Sequence, residues 1–286
     1  MPGFIDLHTH TTASDGALTP SQLVRYAEEC GLCAIAITDH DAVGGLDEAK
    51  EAAQGLDIEL INGIEFSATY DKELHILGYY IDPYAAILQG AMQELSEKRA
   101  KRNMHMIQKL IENGCDITRE DVLSAKESDD IAEFGRLHIA LALVNKGYAK
   151  NLKEAFSKYL SMGACAYVER ERFSPKRCIE IIKKSGGYAF LAHPIYLDKE
   201  SAQLEEFIEE LIGYGLDGIE CFHSAHTDEF SALCVDIAKR HSLMISAGSD
   251  YHGENKRSAS LGRVNNGRYI ERDILDDIKN NIAKLK

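Results

Sequence analysis

The chain has 286 residues, 45% of them hydrophobic and 27% charged, a globular balance that excludes intrinsic disorder and fits one large barrel or one domain with an insertion. Its 32 Lys and Arg stand against 46 Asp and Glu, a formal charge of −14, which argues against a protein that grips duplex DNA through clustered basic side chains. The unusual feature is 11 His and 13 Tyr with no Trp, so the placement of the His carries most of the argument.

The first predicted element is a short apolar strand, Phe4–Leu7, running into His8-Thr9-His10. Thr19-Pro20 then opens a helix: Thr19 suits the N-cap, Pro20 the first helical position, and Gly31 the end. Leu23, Val24, Ala27 and Cys30 give it one apolar face. Cys33–Thr38 is a continuous apolar strand ending in Asp39-His40, Asp47–Gln54 a helix, and Glu59–Phe66 and Leu74–Tyr80 two further strands. After a long gap, strands are predicted at Tyr188–Leu191 before His193, at Gly218–Phe222 before His223, and at Leu243–Ala247 before Asp250 and His252. Strands apolar on both faces that alternate with helices imply a parallel sheet. The gap, from Tyr84 to Arg172, reads as helical throughout, so residues 84–172 are expected as an insertion between barrel segments 1–83 and 173–286.

Seven Cys lie scattered at 30, 33, 115, 165, 178, 221 and 234. Cys30 and Cys33 have CxxC spacing but no second pair, and a structural role is expected for them. Free thiols, an N-terminus without a signal-peptide pattern, and no apolar run of membrane-spanning length together point to a cytoplasmic protein.

In α/β barrels the chemistry gathers at the C-terminal ends of the strands. Those ends hold His8, His10, His40, Glu65, His193, His223, Asp250 and His252, with Asp15 in the first loop and His75 opening a strand. Imidazole and carboxylate are the ligand types of Zn, Mn and Fe. Alternate residues of a strand share a face, so His8 and His10 can address one site, as can Asp250 and His252. Any one buried His is ordinarily a packed or hydrogen-bonded residue, and His105, His138 and His241, in predicted helices, are read that way. Scatter alone does not place most of the others at strand ends.

At these residues the sequence resembles the polymerase-and-histidinol-phosphatase (PHP) family of metal-dependent phosphoesterases. The matching pieces are Asp6-Leu7-His8-Thr9-His10, Ser14-Asp15-Gly16, Thr38-Asp39-His40, Gly63-Ile64-Glu65, Leu74-His75-Ile76-Leu77-Gly78-Tyr79, Ala192-His193-Pro194 and Gly248-Ser249-Asp250-Tyr251-His252, in family order. The resemblance implies a distorted (β/α)7 TIM-like barrel and three divalent metal ions, Mn, Fe or Zn. It implies His8, His10, Glu65 and Asp250 on the first metal. It implies Glu65, His75 and His193 on the second, with Glu65 bridging, and Asp15, His40 and His252 on the third. Asp39 is implied as a carboxylate orienting a ligand. Asp15, His40, Glu65 and Asp250 thereby count as catalytic, because the metals acidify the attacking water and oppose charge on the phosphoryl oxygens. No GxSxG or P-loop pattern suggests another nucleophile.

Within the family the chain is most similar to 3′,5′-nucleoside bisphosphate phosphatases, which are related to short-RNA 5′-exonucleases. The helical insertion carries this likeness, with Phe134-Gly135-Arg136-Leu137-His138-Ile139-Ala140 and with Gly218-Ile219-Glu220-Cys221-Phe222-His223-Ser224-Ala225-His226-Thr227. Arg136 is the first choice for a substrate phosphate, since its fork donates two hydrogen bonds. His226 is expected as a phosphate donor or as the acid for the leaving oxygen, and Ser224 and His223 as further substrate contacts. The basic run Lys98-Arg99-Ala100-Lys101-Arg102 reads as a solvated face or as a charge that draws anionic substrates, and Arg99 and Arg102, on one side of the helix, are weaker candidates for that role. The expected ligand is a small phosphorylated nucleotide or short RNA end, with no duplex DNA and no membrane. Histidinol-phosphate phosphatase is the alternative within the family, and the long insertion counts against it. A non-catalytic PHP accessory module is the alternative of another class, and the complete set of ligand positions counts against that.

Overall fold

A computed structural model describes residues 3–125, 135–255, 259–265 and 267–285. Phe134, part of the insertion motif, lies outside the described residues. One sheet contains seven strands in sequence order: β1 Phe4–Asp6, β2 Leu32–Ile37, β3 Glu59–Ser67, β4 His75–Tyr79, β5 Tyr188–Leu191, β6 Gly218–His223 and β7 Met244–Gly248. The outer edges come together where the Leu7 N–H donates to the Ala247 carbonyl at 3.3 Å and Thr9 bridges to Tyr251, so the sheet nearly closes into a barrel. Ile5, Leu7, Ala34, Ala36, Ile61, Leu77, Phe190 and Ala247 share one buried core beneath the strand ends.

The expected parallel sheet needs one correction. β4 runs antiparallel to both β3 and β5, while the other neighbouring pairs are parallel. The physical reason is the connection. Only residues 68–74 separate β3 from β4, and a parallel crossover takes about a dozen residues or more, whereas a hairpin takes few. The reversal matters for the site: it puts the first residue of β4, His75, opposite Ser67, the last residue of β3.

The helices between strands follow their capping signals. In α1, Pro20–Glu29, Thr19 Oγ1 accepts the Gln22 N–H at 3.2 Å and Gln22 Oε1 accepts the Thr19 N–H at 2.9 Å, a closed capping box. Leu23, Val24 and Ala27 of α1 are buried. A second short helix, α2, spans Leu46–Ala52.

The chain divides into two compact units, Met1–Gly90 with Phe173–Lys286, and Ala91–Arg172. The first break falls within α3, Ala86–Glu112, rather than at residue 84. The second unit has its own core. Met106, Ile107 and Leu110 of α3 pack with Val122 of α4 (Arg119–Ser124), Ile139 and Leu143 of α5 (Arg136–Asn145), and Leu160, which ends a π-helical turn after α6 (Leu152–Ala155). In the first unit the chain resumes with α7, Pro175–Lys184, capped by Ser174 on the Arg177 N–H. Then come α8 Ser201–Tyr214, α9 Asp228–Arg240, the hairpin β8 Arg263–Val264 with β9 Arg268–Tyr269, and α10 Asp273–Leu285. Among the described residues no helix is long and apolar enough to cross a membrane. All seven cysteines are free thiols, Cys30 and Cys33 included.

Candidate metal centre

Nine side chains predicted as ligands converge at one end of the barrel, and Glu65 is their hub. Its carboxylate, fully buried near the end of β3, has Oε1 at 3.2 Å from His8 Nε2, 3.0 Å from His75 Nδ1 and 3.0 Å from His193 Nε2. Oε2 lies 3.3 Å from His10 Nε2 and 2.9 Å from His40 Nδ1. Asp250 Oδ1 approaches His10 Nε2 at 3.2 Å and His8 Nε2 at 3.6 Å. Asp15, which is 57% exposed, reaches His252 Nε2 at 3.2 Å and lies within 4 Å of His10 and His40. The donor atoms gather as His8, His10 and Glu65, as His40, Glu65 and His75, and as His10, Asp15, His40 and His252. A fourth group joins Glu73 to His75 and His193, and Glu73 was missed at the sequence level. A cavity of about 290 Å³ opens onto Asp15, His40, Glu73, His75, His193, Asp250 and His252.

Local backbone chemistry aims these groups. β1 ends at Asp6, yet His8 and His10 still face one site, because the Asp250 N–H donates to the His8 carbonyl and the His10 N–H to the Tyr251 carbonyl, both at 2.9 Å. Asp250 and His193 hold φ of +57° and +25°, conformations that cost a non-glycine residue about 1–3 kcal/mol and persist only where surroundings impose them. Gly16 passes so close to the first motif that a Cβ there would sit 2.3 Å from the His10 carbonyl oxygen, which explains why glycine follows Asp15. Asp39 accepts from the Thr11 N–H and hydroxyl, each at 2.7 Å, and from the Ser14 hydroxyl. It therefore braces the loop that carries Asp15 rather than a ligand imidazole. Asp6, fully buried, accepts from the Ser249 hydroxyl and from the N–H groups of His8, Ser249 and Gly262, tying β1 to the Asp250 loop.

Electrostatics tests whether cations suit the site. Burial would raise the Glu65 carboxyl, but His8, His75 and His40 hold it well below the usual range. Burial would likewise raise Asp250, and His8 and His10 hold it down. Burial disfavours a charged His40, but Glu65, Asp15 and Asp41 outweigh it and push the imidazole up to about 9. The carboxylates thus stay ionised and favour positive partners. Several donor atoms also approach without the alignment of hydrogen bonds: His8 Nε2, both nitrogens of His10, His40 Nδ1 and Glu65 Oε2 are buried and, among the described residues, have no hydrogen-bond partner. Buried ionised carboxylates, with unsatisfied imidazole nitrogens that ligate once the ring gives up its proton, are what divalent transition metals bind, so the residues fit such ions.

Residues 6–212 match the PHP domain family. The chain belongs to the PHP family. A 5′-3′ exoribonuclease of Haemophilus influenzae is 34% identical over 86% of this chain and 89% of its own length. A 3′,5′-nucleoside bisphosphate phosphatase of Chromobacterium violaceum is 32% identical over 98% of both chains. A phosphoribosyl 1,2-cyclic phosphate 1,2-diphosphodiesterase of Eggerthella lenta is 30% identical over 90% of this chain and 97% of its own. A solved structure of a candidate metal-dependent phosphoesterase from Bifidobacterium adolescentis superposes with a TM-score of 0.76 at 32% identity, covering 96% of this chain and 94% of the other. This PHP chain is accordingly a hydrolase of phosphoester bonds.

The other predicted contacts are placed as follows. His223 and His226 are buried at the end of β6, their rings 5.4 Å apart, with Ser224 half-buried in the turn between them. His223 Nε2 lies 3.5 Å from Asp250 Oδ2. Arg136 belongs to the second unit, as the first residue of α5, while His138 Nδ1 accepts the Gly135 N–H at 3.0 Å and caps that helix. His241 pairs with Glu205 at 2.9 Å.

Proposed function

We propose that the chain removes the 3′-phosphate of nucleoside 3′,5′-bisphosphates such as adenosine 3′,5′-bisphosphate, and trims short 5′-phosphorylated RNA from its 5′ end. Both reactions break a phosphorus–O3′ bond beside a 5′-phosphorylated nucleoside, so one pocket serves both. The observation that carries the substrate choice lies in the insertion. Arg102 of α3 is half-buried, its Nε has no hydrogen-bond partner among the described residues, and its Nη2 donates to Asn103 Oδ1 at 3.2 Å. Burial, with Arg136, Arg170 and Arg99 around it, pushes this guanidinium down to about 10. A cluster of guanidinium groups draws anions, and a guanidinium fork suits phosphate. Within this cluster Arg136 is assigned to a substrate phosphate. The names and full-length matches of the Chromobacterium and Haemophilus relatives support the same reading.

Three divalent ions, Mn, Fe or Zn, are proposed: His8, His10, Glu65 and Asp250 hold the first, Glu65, His75 and His193 the second, and Asp15, His40 and His252 the third. When bound, they acidify a water and oppose charge on the phosphoryl oxygens. The chain's own groups do the rest. The Ala225 N–H donates to His223 Nδ1 at 3.0 Å, which leaves the neutral ring's proton on Nε2 as a donor for a phosphoryl or leaving oxygen. His226 differs. Its Nδ1–H donates to the Cys221 carbonyl at 3.0 Å, and burial, with His223 beside it, lowers its pKa to about 4. His226 therefore offers an acceptor at Nε2 rather than the N–H of an acid, and the donor role passes to His223.

Phosphate release from adenosine 3′,5′-bisphosphate by the Mn²⁺-loaded protein tests the proposal. A short 5′-phosphorylated RNA, followed by the 5′-mononucleotides it releases, is compared under the same conditions with histidinol phosphate and phosphoribosyl 1,2-cyclic phosphate. Turnover of the first two is expected to exceed that of the others. Absence of turnover of both, or faster hydrolysis of either competitor, overturns it.

A further inference from the structure

The motif that closes β6 contains a carboxylate without a role in the scheme above. Glu220 is fully buried, and both its oxygens are engaged. Oε1 lies 2.9 Å from His8 Nδ1, and Oε2 accepts the backbone N–H of His193 at 2.7 Å. These are the two histidines assigned to the first and the second metal. The packing leaves room for the arrangement only because residue 248 is glycine: a Cβ there would lie 2.1 Å from the His8 Cβ and 2.9 Å from Glu220 Oε1.

Each contact does something a metal site needs. A neutral imidazole carries one proton, and its position decides which nitrogen can ligate. A carboxylate against Nδ1 keeps the proton there and leaves the Nε2 lone pair facing Glu65 and Asp250, 3.2 and 3.6 Å away. His193 holds φ of +25°, and a charge-assisted bond to its N–H is a direct way to sustain that conformation. A side chain that served only to fill the core would be better apolar, since a buried charge needs compensation.

We propose that Glu220 is a positioning residue for the metal centre, fixing the tautomer of His8 and the backbone turn of His193 with one carboxylate. The inference rests on reading these histidines as metal ligands. In Glu220→Gln, one oxygen becomes an NH2 group facing a site where both partners are N–H donors, so one of the two contacts is lost or the His8 proton moves to Nε2. The full-length apo protein is titrated with Mn²⁺ alone, free ion being counted by electron paramagnetic resonance, and apo folding is followed by far-UV circular dichroism. Glu220→Gln is expected to keep the wild-type apo spectrum and to lose about 10–100-fold in apparent Mn²⁺ affinity. Turnover should return toward wild type at saturating Mn²⁺. Glu220→Asp, which keeps the charge but cannot span both donors, should shift affinity in the same direction. Unchanged affinity in Glu220→Gln overturns the proposal, as does a turnover defect that saturating Mn²⁺ does not repair. Loss of the apo fold in both variants overturns it too, by assigning Glu220 to folding. A wild-type protein that takes up no Mn²⁺ would instead sink the reading of the metal centre itself.

Discussion

The two units of the chain handle buried charge in opposite ways. At the end of the barrel, carboxylates and imidazoles alternate, so Glu65 and Asp250 sit among imidazoles and His8 among carboxylates. In the insertion, Arg102 sits among Arg99, Arg136 and Arg170, groups of its own sign. The first arrangement supports itself and has unsatisfied donor atoms left for cations. The second gathers guanidinium groups, whose forks suit an anion. The first arrangement suits cations, and the second is proposed to receive a substrate phosphate.

Removing the hub of the first arrangement should have the largest effect. Glu65 touches five of the assigned histidines, so Glu65→Gln is expected to lose bound metal and to reduce kcat/KM by about a thousandfold or more, the several kcal/mol that a Lewis-acid metal supplies. Metal analysis of the purified variant beside its kinetics checks this; full metal content would break the assignment of Glu65 as a ligand. Breaking the second arrangement should cost less and in a different way. Arg136→Ala should keep its metal and lose roughly 10–100-fold in kcat/KM on a 3′,5′-bisphosphate, the worth of a charged hydrogen bond of about 1.5–3 kcal/mol. The same variant should be nearly unaffected on a nucleoside 3′-monophosphate, which lacks the retained phosphate. Equal losses on both substrates would mean that Arg136 acts on the fold rather than on the substrate. Arg102→Ala should follow the same substrate pattern.

These contrasts were legible in the sequence to different depths. The nine candidate ligand positions stood out because HxH, DH, GIE, AHP and the SDYH ending place a ligand type beside the end of an apolar run, with Asp15 in the first loop and His75 opening a strand, and because these pieces match the PHP motifs in order. The direction of β4 was not legible. An apolar strand looks the same in either sense, and only the shortness of the segment from 68 to 74 signalled a hairpin. Glu220 was missed for a related reason. It was read within an apolar strand, although a carboxylate in a buried run, like Asp6 in the first strand, was itself the available signal. The arginine cluster was half legible: Arg99, Arg102 and Arg136 were singled out, but the run from Lys98 to Arg102 looked like a solvated face. In the structure Lys98 pairs with Glu94 at 2.7 Å while Arg102 is half-buried and feels the charges of Arg136, Arg170 and Arg99. Arg170, in an irregular segment, had no periodic signal to reveal it.

The smallest expected effect concerns a histidine that follows neither pattern. His226 is buried beside Phe230 and His223, and burial and the His223 charge outweigh Glu220 to hold its imidazole down to about 4. Its unfolded value is about 6.5, so between these limits the unfolded chain binds the extra proton and the folded one does not. The stability that this group contributes is therefore complete above pH 6.5 and is lost as pH falls toward 4. At pH 5 the loss relative to pH 7 is on the order of 2 kcal/mol. His226→Asn keeps a donor for the Cys221 carbonyl but cannot titrate, so metal-free wild type should lose about that much more stability than the variant between pH 7 and pH 5 in urea denaturation. Parallel losses would mean that His226 is protonated in the folded protein. Its Nε2 would then carry a proton rather than a lone pair, and the donor role given to His223 would have to be shared.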